Sequence, residues 1–248
     1  IIPVTTPLWM LVIAIVFAVI FAKEIFGGTG MNFLNVALVA RAFLFFSYPA
    51  KMSGDSVWLA TDTIFGLGNQ LPDGFTMATP LGQIGQGTVP TASLTDMILG
   101  FIPGSIGETS VVAIAIGAVI LLWSGVASWK TMLSVFVGGG LTAALFHACG
   151  TSPITWYEHL VLGGFAFGAV FMATDPVTSA RTETGKWIYG FLIGFMAVVI
   201  RVLNPGYPEG MMLAILLMNV FAPLIDYCVV ERNVAHRINR AKNNKKEA

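Results

Sequence analysis

The sequence predicts an all-α integral membrane protein, a polytopic helical bundle in which some helices are short or broken. Three observations carry this. Charged residues make up 10% of the 248-residue chain, against roughly 25% in soluble domains. Apolar residues are 56% and mean hydropathy is +0.79. The apolar residues also fall into runs of near-spanning length instead of being scattered.

A helical span needs roughly 20 apolar residues. Pro7–Phe26 meets this, with Leu8–Ala22 uncharged. Asn35–Ser47 is short and carries Arg41. Val111–Ala127 and Thr131–His147 read as spans joined by a tight turn at Trp129-Lys130. Leu160–Thr174 is short and stops at Asp175-Pro176, since proline disfavours helix at the preceding residue. Trp187–Leu203 and Gly210–Val230 complete the set. The chain divides into a first span with a short broken helix (1–48), a Gly/Pro-rich external loop (49–110), transmembrane helices (111–230) and a basic tail (231–248).

Lysine and arginine placement sets the expected orientation. Arg232, Arg237, Arg240, Lys242, Lys245 and Lys246 mark the tail as cytoplasmic. Counting back, Arg181, Lys186, Lys130 and Lys23 share that side. The loop 49–110 then lies outside; its single cation, Lys51, faces Asp55, Asp62, Asp73, Asp96 and Glu108. The first residue also falls outside, and the chain opens on Ile1, so earlier spans are expected to precede it. The loop has ten glycines and four prolines between Gly54 and Ser110, too little apolar content for its own core, and is expected to fold onto the helical body. Asp96–Gly100 and Ser105–Glu108 read as short helical pieces.

Two glycine-rich breaks, Phe26–Asn35 and Leu203–Gly210, precede helices. At membrane depth such breaks survive where they line a cavity or pack against protein, and free N–H groups at a half-helix start suit an anionic or polar ligand. Two tight connecting turns are the plainer reading. Cys149 and Cys228 have no CxxC partner, so a thiol metal site or redox disulfide is not expected. Gly164xxxGly168 and Gly190xxxGly194 fit close helix packing. Trp123, Trp129, Trp156 and Trp187 fit interfacial belts. His147 and His159 read as structural.

Ionisable residues inside a membrane are costly and mark candidate sites. Asp226 follows Phe221-Ala222-Pro223-Leu224-Ile225, where a carboxylate beside carbonyls freed by proline suits sodium; a solvated position among the headgroups is the alternative. Asp175 is the second candidate on a sodium path, with helix capping as its alternative. Glu24 pairs with Lys23 in the simplest reading. Arg41 and Arg201 could meet a phosphate or acidic neighbours, or could snorkel. In the outer loop, Asp73-Gly74-Phe75-Thr76-Met77-Ala78-Thr79-Pro80 offers a hydroxyl among small residues, with Pro80 holding Thr79 extended. By residue type alone it is an ordinary polar turn.

That motif resembles the flavinylation signature Asp-Gly-x-Ser/Thr-x-Ala-Thr. Lys23–Gly30, Phe101–Glu108, Ala173–Thr178 and Asn204–Gly210 agree with the same family. The chain resembles the B subunits of the Na+-translocating NADH:quinone reductase and the related D subunits of Rnf complexes, over nearly its whole length. Met77 departs from the small residue usual before Ala-Thr. The resemblance implies the C-terminal half of a two-repeat protein with a urea/ammonium-channel-like fold. It implies FMN esterified through its phosphate to Thr79, with Asp73, Gly74, Thr76 and Ala78 as the surrounding motif, and a non-covalent riboflavin at a site the sequence does not locate. The implied partners are the other subunits of a six-subunit complex, ubiquinone, Na+, a flavin transferase and membrane lipid; no nucleic acid is expected. The implied location is the bacterial inner membrane, with the loop 49–110 periplasmic. A pure channel without flavin is the competing class.

Overall fold

The computed structural model describes residues 2–3, 6–52, 78–85, 92–105, 107–204, 206–207 and 209–247, the last four without their side chains. The described residues form helices only. In chain order these are α1 (Leu8–Ala22), α2 (Val36–Ser47), α3 (Pro49–Met52), α4 (Pro80–Gly85), α5 (Leu94–Leu99), α6 (Val111–Trp123), α7 (Trp129–Ala148), α8 (Trp156–Val161), α9 (Phe165–Phe167), α10 (Glu183–Leu203) and α11 (Met211–Glu247). Four stretches are long and apolar enough to cross a membrane: Leu8–Phe26, Trp129–Ala148, Glu183–Leu203 and Met211–Asn243. The chain is therefore a multi-pass membrane protein. Val36–Ser47 and Val111–Trp123 are shorter apolar helices.

The centre of the bundle is α10, packed against α7 on one side and α11 on the other. Glycine makes the first contact close. A Cβ on Gly194 would overlap the Val135 carbonyl, and one on Gly190 would overlap Ser134 Oγ. From α7, a Cβ on Gly138 would overlap the Phe191 carbonyl. Small residues let backbones approach where lipid offers no hydrophobic drive between helices. Tyr189, Ile193, Val198, Phe165, Met211 and Ile215 fill the core around this crossing. A second cluster joins α1 to α2 through Met10, Ala14, Ala18, Ala40 and Leu44. Large apolar side chains elsewhere face outward, including Ile116, Val119, Ile120 and Leu141, as lipid solvation permits.

Element boundaries depart from the sequence expectation in four places. Trp129-Lys130 is the first turn of α7, and the connection is Ser124–Ser128. α10 starts at Glu183, four residues before the apolar run, because Thr182 caps it by accepting from the Gly185 N–H at 3.1 Å. α11 runs unbroken into the basic tail as far as Glu247, through Pro223. At about 1.5 Å per residue, its 37 residues exceed a hydrocarbon core of roughly 30 Å, so the polar end projects beyond it. Gly107 and Glu108 lie in a turn, with Glu108 N–H donating to the Ser105 carbonyl at 3.2 Å, while the other expected piece is α5.

The segment Leu160–Thr174 is broken in the middle. α8 begins with a capping box, Thr155 with Glu158, and ends at Leu162-Gly163-Gly164. Gly163 has φ +61, a left-handed conformation that penalises a side chain. α9 follows and passes into a π-helical turn, Gly168–Met172. The break at Phe26–Asn35 contains Gly27, Gly28 and Gly30 at positive φ and ends where Asn35 caps α2 by accepting from Leu38 N–H at 3.2 Å.

Candidate functional site

Thr79 is half-buried and opens α4. Its Oγ1 accepts from the Gly82 N–H at 3.0 Å, and its carbonyl accepts from Gln83 N–H at 2.9 Å. This is an N-cap, with Pro80 at the first helical position, where its missing N–H is not needed. The Gln83 side chain donates to the Ala78 carbonyl at 3.3 Å, fixing the approach to Thr79. Asp73, Gly74 and Thr76 lie outside the described residues.

α4 is docked on the break in the α8–α9 pair. Leu81 is 4% exposed and clusters with Met97, Ile154 and Leu162. A Cβ on Gly163 would overlap Leu81 Cδ1 and would stand 3.8 Å from Arg201 Nη2. Glycine at 163 is thus required twice, by conformation and by the closeness of α4. The expectation that the outer loop folds onto the helical body holds for this piece.

Arg201 ties the broken segments together. Its Nη1 donates to the His159 carbonyl at 2.6 Å, and its Nη2 to the Leu162 carbonyl at 3.2 Å and the Glu209 carbonyl at 3.4 Å. These carbonyls lie at the frayed ends of α8 and of the 203–210 break, where helix geometry leaves acceptors without intrahelical donors. The guanidinium satisfies them and does not snorkel. Arg41, 4% exposed, reaches from α2 to Glu209, Nη2 to Oε2 at 2.5 Å, and touches Met212 Sδ. Acidic pairing, one of the readings open for the two arginines, holds for Arg41; Arg201 instead binds backbone carbonyls, a role the sequence did not suggest.

Glu108 completes a buried group of two arginines and two glutamates. It is 5% exposed. Its Oε1 accepts from Ser105 N–H at 3.4 Å, and its Oε2 points at Gly164, where a Cβ would come within 2.9 Å. Burial pushes its carboxyl above the usual carboxylate range, and Glu209 pushes it further in the same direction. Among the described residues, Glu108 Oε2, Arg201 Nε and His159 Nδ1 are buried without a hydrogen-bond partner. His159 Nε2 meets Ser152 Oγ at 2.9 Å. Arg41 and Arg201 are legible in the sequence as charges inside apolar runs, whereas Glu108 and Glu209 carry no such signal. The pairing itself crosses up to 168 positions, from Arg41 to Glu209.

The two candidate sodium residues lie in another part of the molecule. Asp226 accepts three hydrogen bonds: Arg181 N–H at 2.7 Å, Thr182 N–H at 3.0 Å and Thr182 Oγ1 at 2.6 Å. It therefore anchors the start of α10. It also lines a cavity of about 350 Å³ with Asn32, Thr178, Asn219 and Pro223. Pro223 has no N–H, so the Asn219 carbonyl lacks its helical donor. Asp175 accepts from Val177 N–H at 3.1 Å, Thr178 Oγ1 at 3.0 Å and Asn35 Nδ2 at 3.5 Å. Each carboxylate thus has capping work of its own, and both lie near the Thr178 segment. On the same part of the bundle, Glu183 bridges Lys130 and Lys186, and Trp129 meets Trp187 edge to face. The Lys23–Glu24 pair expected from sequence is present at 3.8 Å.

Residues 1–235 match the model of the NQR2, RnfD, RnfE family. The chain is 55% identical to the B subunit of the Na(+)-translocating NADH-quinone reductase of Chromohalobacter salexigens, over 97% of this chain and 58% of that protein. It is 54% identical to the corresponding protein of Klebsiella pneumoniae strain 342, over 97% and 59%, and 52% identical to that of Yersinia pestis, over 98% and 59%. The chain spans somewhat under two thirds of the length of these relatives. By the extent of that match, it belongs to the NQR2, RnfD, RnfE family.

Proposed function

We propose that the chain serves as a membrane subunit of a sodium-pumping NADH:quinone reductase and carries FMN as a phosphoester on Thr79. Identity of 52–55% to relatives named as the B subunits of that enzyme carries the assignment, and favours it over an Rnf subunit. Thr79 suits the linkage: the residue is half-buried rather than enclosed, and the Gly82 N–H points at its hydroxyl. Ala78 and Gln83 hold the approach, and Asp73, Gly74 and Thr76 supply the remainder of the motif a flavin transferase reads. FMN supplies an electron carrier; the chain's own residues hold its phosphate and fix the helix beneath it.

The partners in this reading are the other subunits of a six-subunit complex, ubiquinone as electron acceptor, Na+ as the transported ion, a non-covalent riboflavin, and lipid around the outward apolar faces. The location is a bacterial inner membrane, with the tail cytoplasmic and the loop periplasmic. Asp226 and Asp175 belong to the sodium path in this reading, supported by the cavity that Asp226 shares with Thr178 and Asn219 and by sodium's preference for oxygen ligands.

The test is a denaturing gel of protein made with active flavin transferase. Wild type should fluoresce under ultraviolet light and Thr79→Ala should not. A dark wild-type band would overturn the flavin assignment and favour a pure channel.

A further inference from the structure

The face of α4 below Thr79 closes over a cavity that the linkage itself does not use. Leu81, Ile84 and Gly85, at helical spacing i, i+3 and i+4, form one wall of a void of about 160 Å³. The opposite wall is Ser152, His159 and Arg201. Arg201 is 7% exposed and His159 1%, and each has a buried nitrogen, Nε and Nδ1, without a hydrogen-bond partner among the described residues. Buried polar atoms are nearly always paired, so such exceptions call for an explanation. The apolar wall comes from the helix that Thr79 caps, and the polar wall from α8, the connection before it and the end of α10. A group tethered at Thr79 and laid along α4 would cross about 9 Å from the cap to Gly85, at 1.5 Å rise per residue.

We infer that this cavity receives the polar, hydrogen-bond-accepting edge of the flavin ring, with Arg201 and His159 as positioning residues that face it. The inference rests on the Thr79 reading and adds where the ring goes and what tunes it. Arg201 is the cation that matters. Its Nη atoms are spent on carbonyls of His159, Leu162 and Glu209, so the guanidinium is held in place and presents its remaining edge. A fixed positive charge beside the ring favours the electron-rich reduced flavin and raises its midpoint potential, more strongly in a dry site than in water. Ser152, hydrogen-bonded to His159 Nε2, holds the imidazole so that Nδ1 is the atom left for a ligand.

The experiment is a potentiometric titration of the assembled complex, with the Thr79-linked flavin identified as the component missing from the Thr79→Ala complex. Arg201→Gln should lower the reduced-to-oxidised ratio of that flavin at least tenfold at fixed ambient potential, about 30 mV for a two-electron couple. Arg201→Lys, which keeps the charge, should hold it within about threefold. Ile84→Trp fills the void from the α4 side and leaves both polar residues in place. By keeping the ring away from Arg201, it should lower the reduced-to-oxidised ratio of the linked flavin in the same direction as Arg201→Gln, while its covalent content stays at wild-type level. If Arg201→Gln does not assemble, Ile84→Trp decides alone. Variants that assemble, carry full FMN on Thr79, and show an unchanged potential would overturn the inference and leave the Thr79 linkage standing. Absence of FMN from the wild type would instead strike the linkage.

Discussion

Replacing Arg41 with methionine removes one charge from a buried group of four and keeps most of the side-chain volume. In the native protein Arg41 sits against Glu209 at 2.5 Å, with Glu108 close enough to feel the same charge. Without Arg41, Glu209 keeps only the Arg201 contact to its carbonyl, and its carboxylate is left in a nearly dry site. Removing one partner of a buried pair typically destabilises by about 3–5 kcal/mol, mostly from the uncompensated charge. For a chain of this size that corresponds to about 6–20 °C in melting temperature. Glu209→Gln should lose a similar amount by stranding Arg41. The double variant Arg41→Met/Glu209→Gln strands neither and should lose clearly less than the sum, by about 0.5–3 kcal/mol of coupling. The assay is the fraction of detergent-solubilised protein that stays monodisperse after a temperature series. Strictly additive losses, or a single variant as stable as wild type, would refute a direct ion pair between α2 and the 203–210 break.

Other outcomes follow from the same structure. Asp226→Ala should lower stability by about 0.5–2 kcal/mol through loss of the α10 anchor; if Asp226 also serves sodium, the Na+ concentration for half-maximal quinone reduction should rise at normal FMN content, and unchanged sodium dependence would leave only the anchor. Gly194→Ala should destabilise by at least about 1–3 kcal/mol, because the new methyl meets backbone of α7 and not a movable side chain; wild-type stability would contradict the α7–α10 contact. Glu108 has its carboxyl raised by burial, so folding favours its protonated form. That contribution is present below the ordinary carboxylate pKa and fades as pH rises through the raised value. Stability should therefore fall on raising pH, and Glu108→Gln should flatten the fall; a profile identical to wild type would place the titration elsewhere. Cysteines at Thr95 and Asn243, in a background with Cys149 and Cys228 changed to serine, should label from opposite sides with an impermeant reagent, and same-side labelling would overturn the proposed orientation.

The sequence made some of this legible and hid the rest for physical reasons. Continuous apolar runs announced α1, α7 and α10, because lipid solvates every face of a helix and no periodicity is needed. Asn35 was readable as a boundary because capping is local. Gly190 and Gly194 were readable as packing positions because their spacing sets one helix face. What stayed hidden depends on contacts between distant positions. Asp226 finds its partners at Arg181 and Thr182, about one long helix earlier in sequence, so its capping role had no local sign. Arg41 and Arg201 were recognisable as unusual, but their partners, Glu209 and the carbonyls of the α8 break, are fixed only by the fold. The break at Gly163 was hidden inside an apolar run, since the left-handed turn and the closeness of Leu81 are properties of the packed state. For Thr79 the local reading was a polar turn, and the structure adds that this turn is an N-cap docked on the α8–α9 break.

The most direct measurement is a peptide map of protein purified from cells with active flavin transferase. The peptide containing Thr79 should carry the mass of FMN less one water, with fragmentation placing it on Thr79 and the increment absent from Thr79→Ala. The increment on Thr76, or an unmodified peptide at full occupancy, would contradict the account.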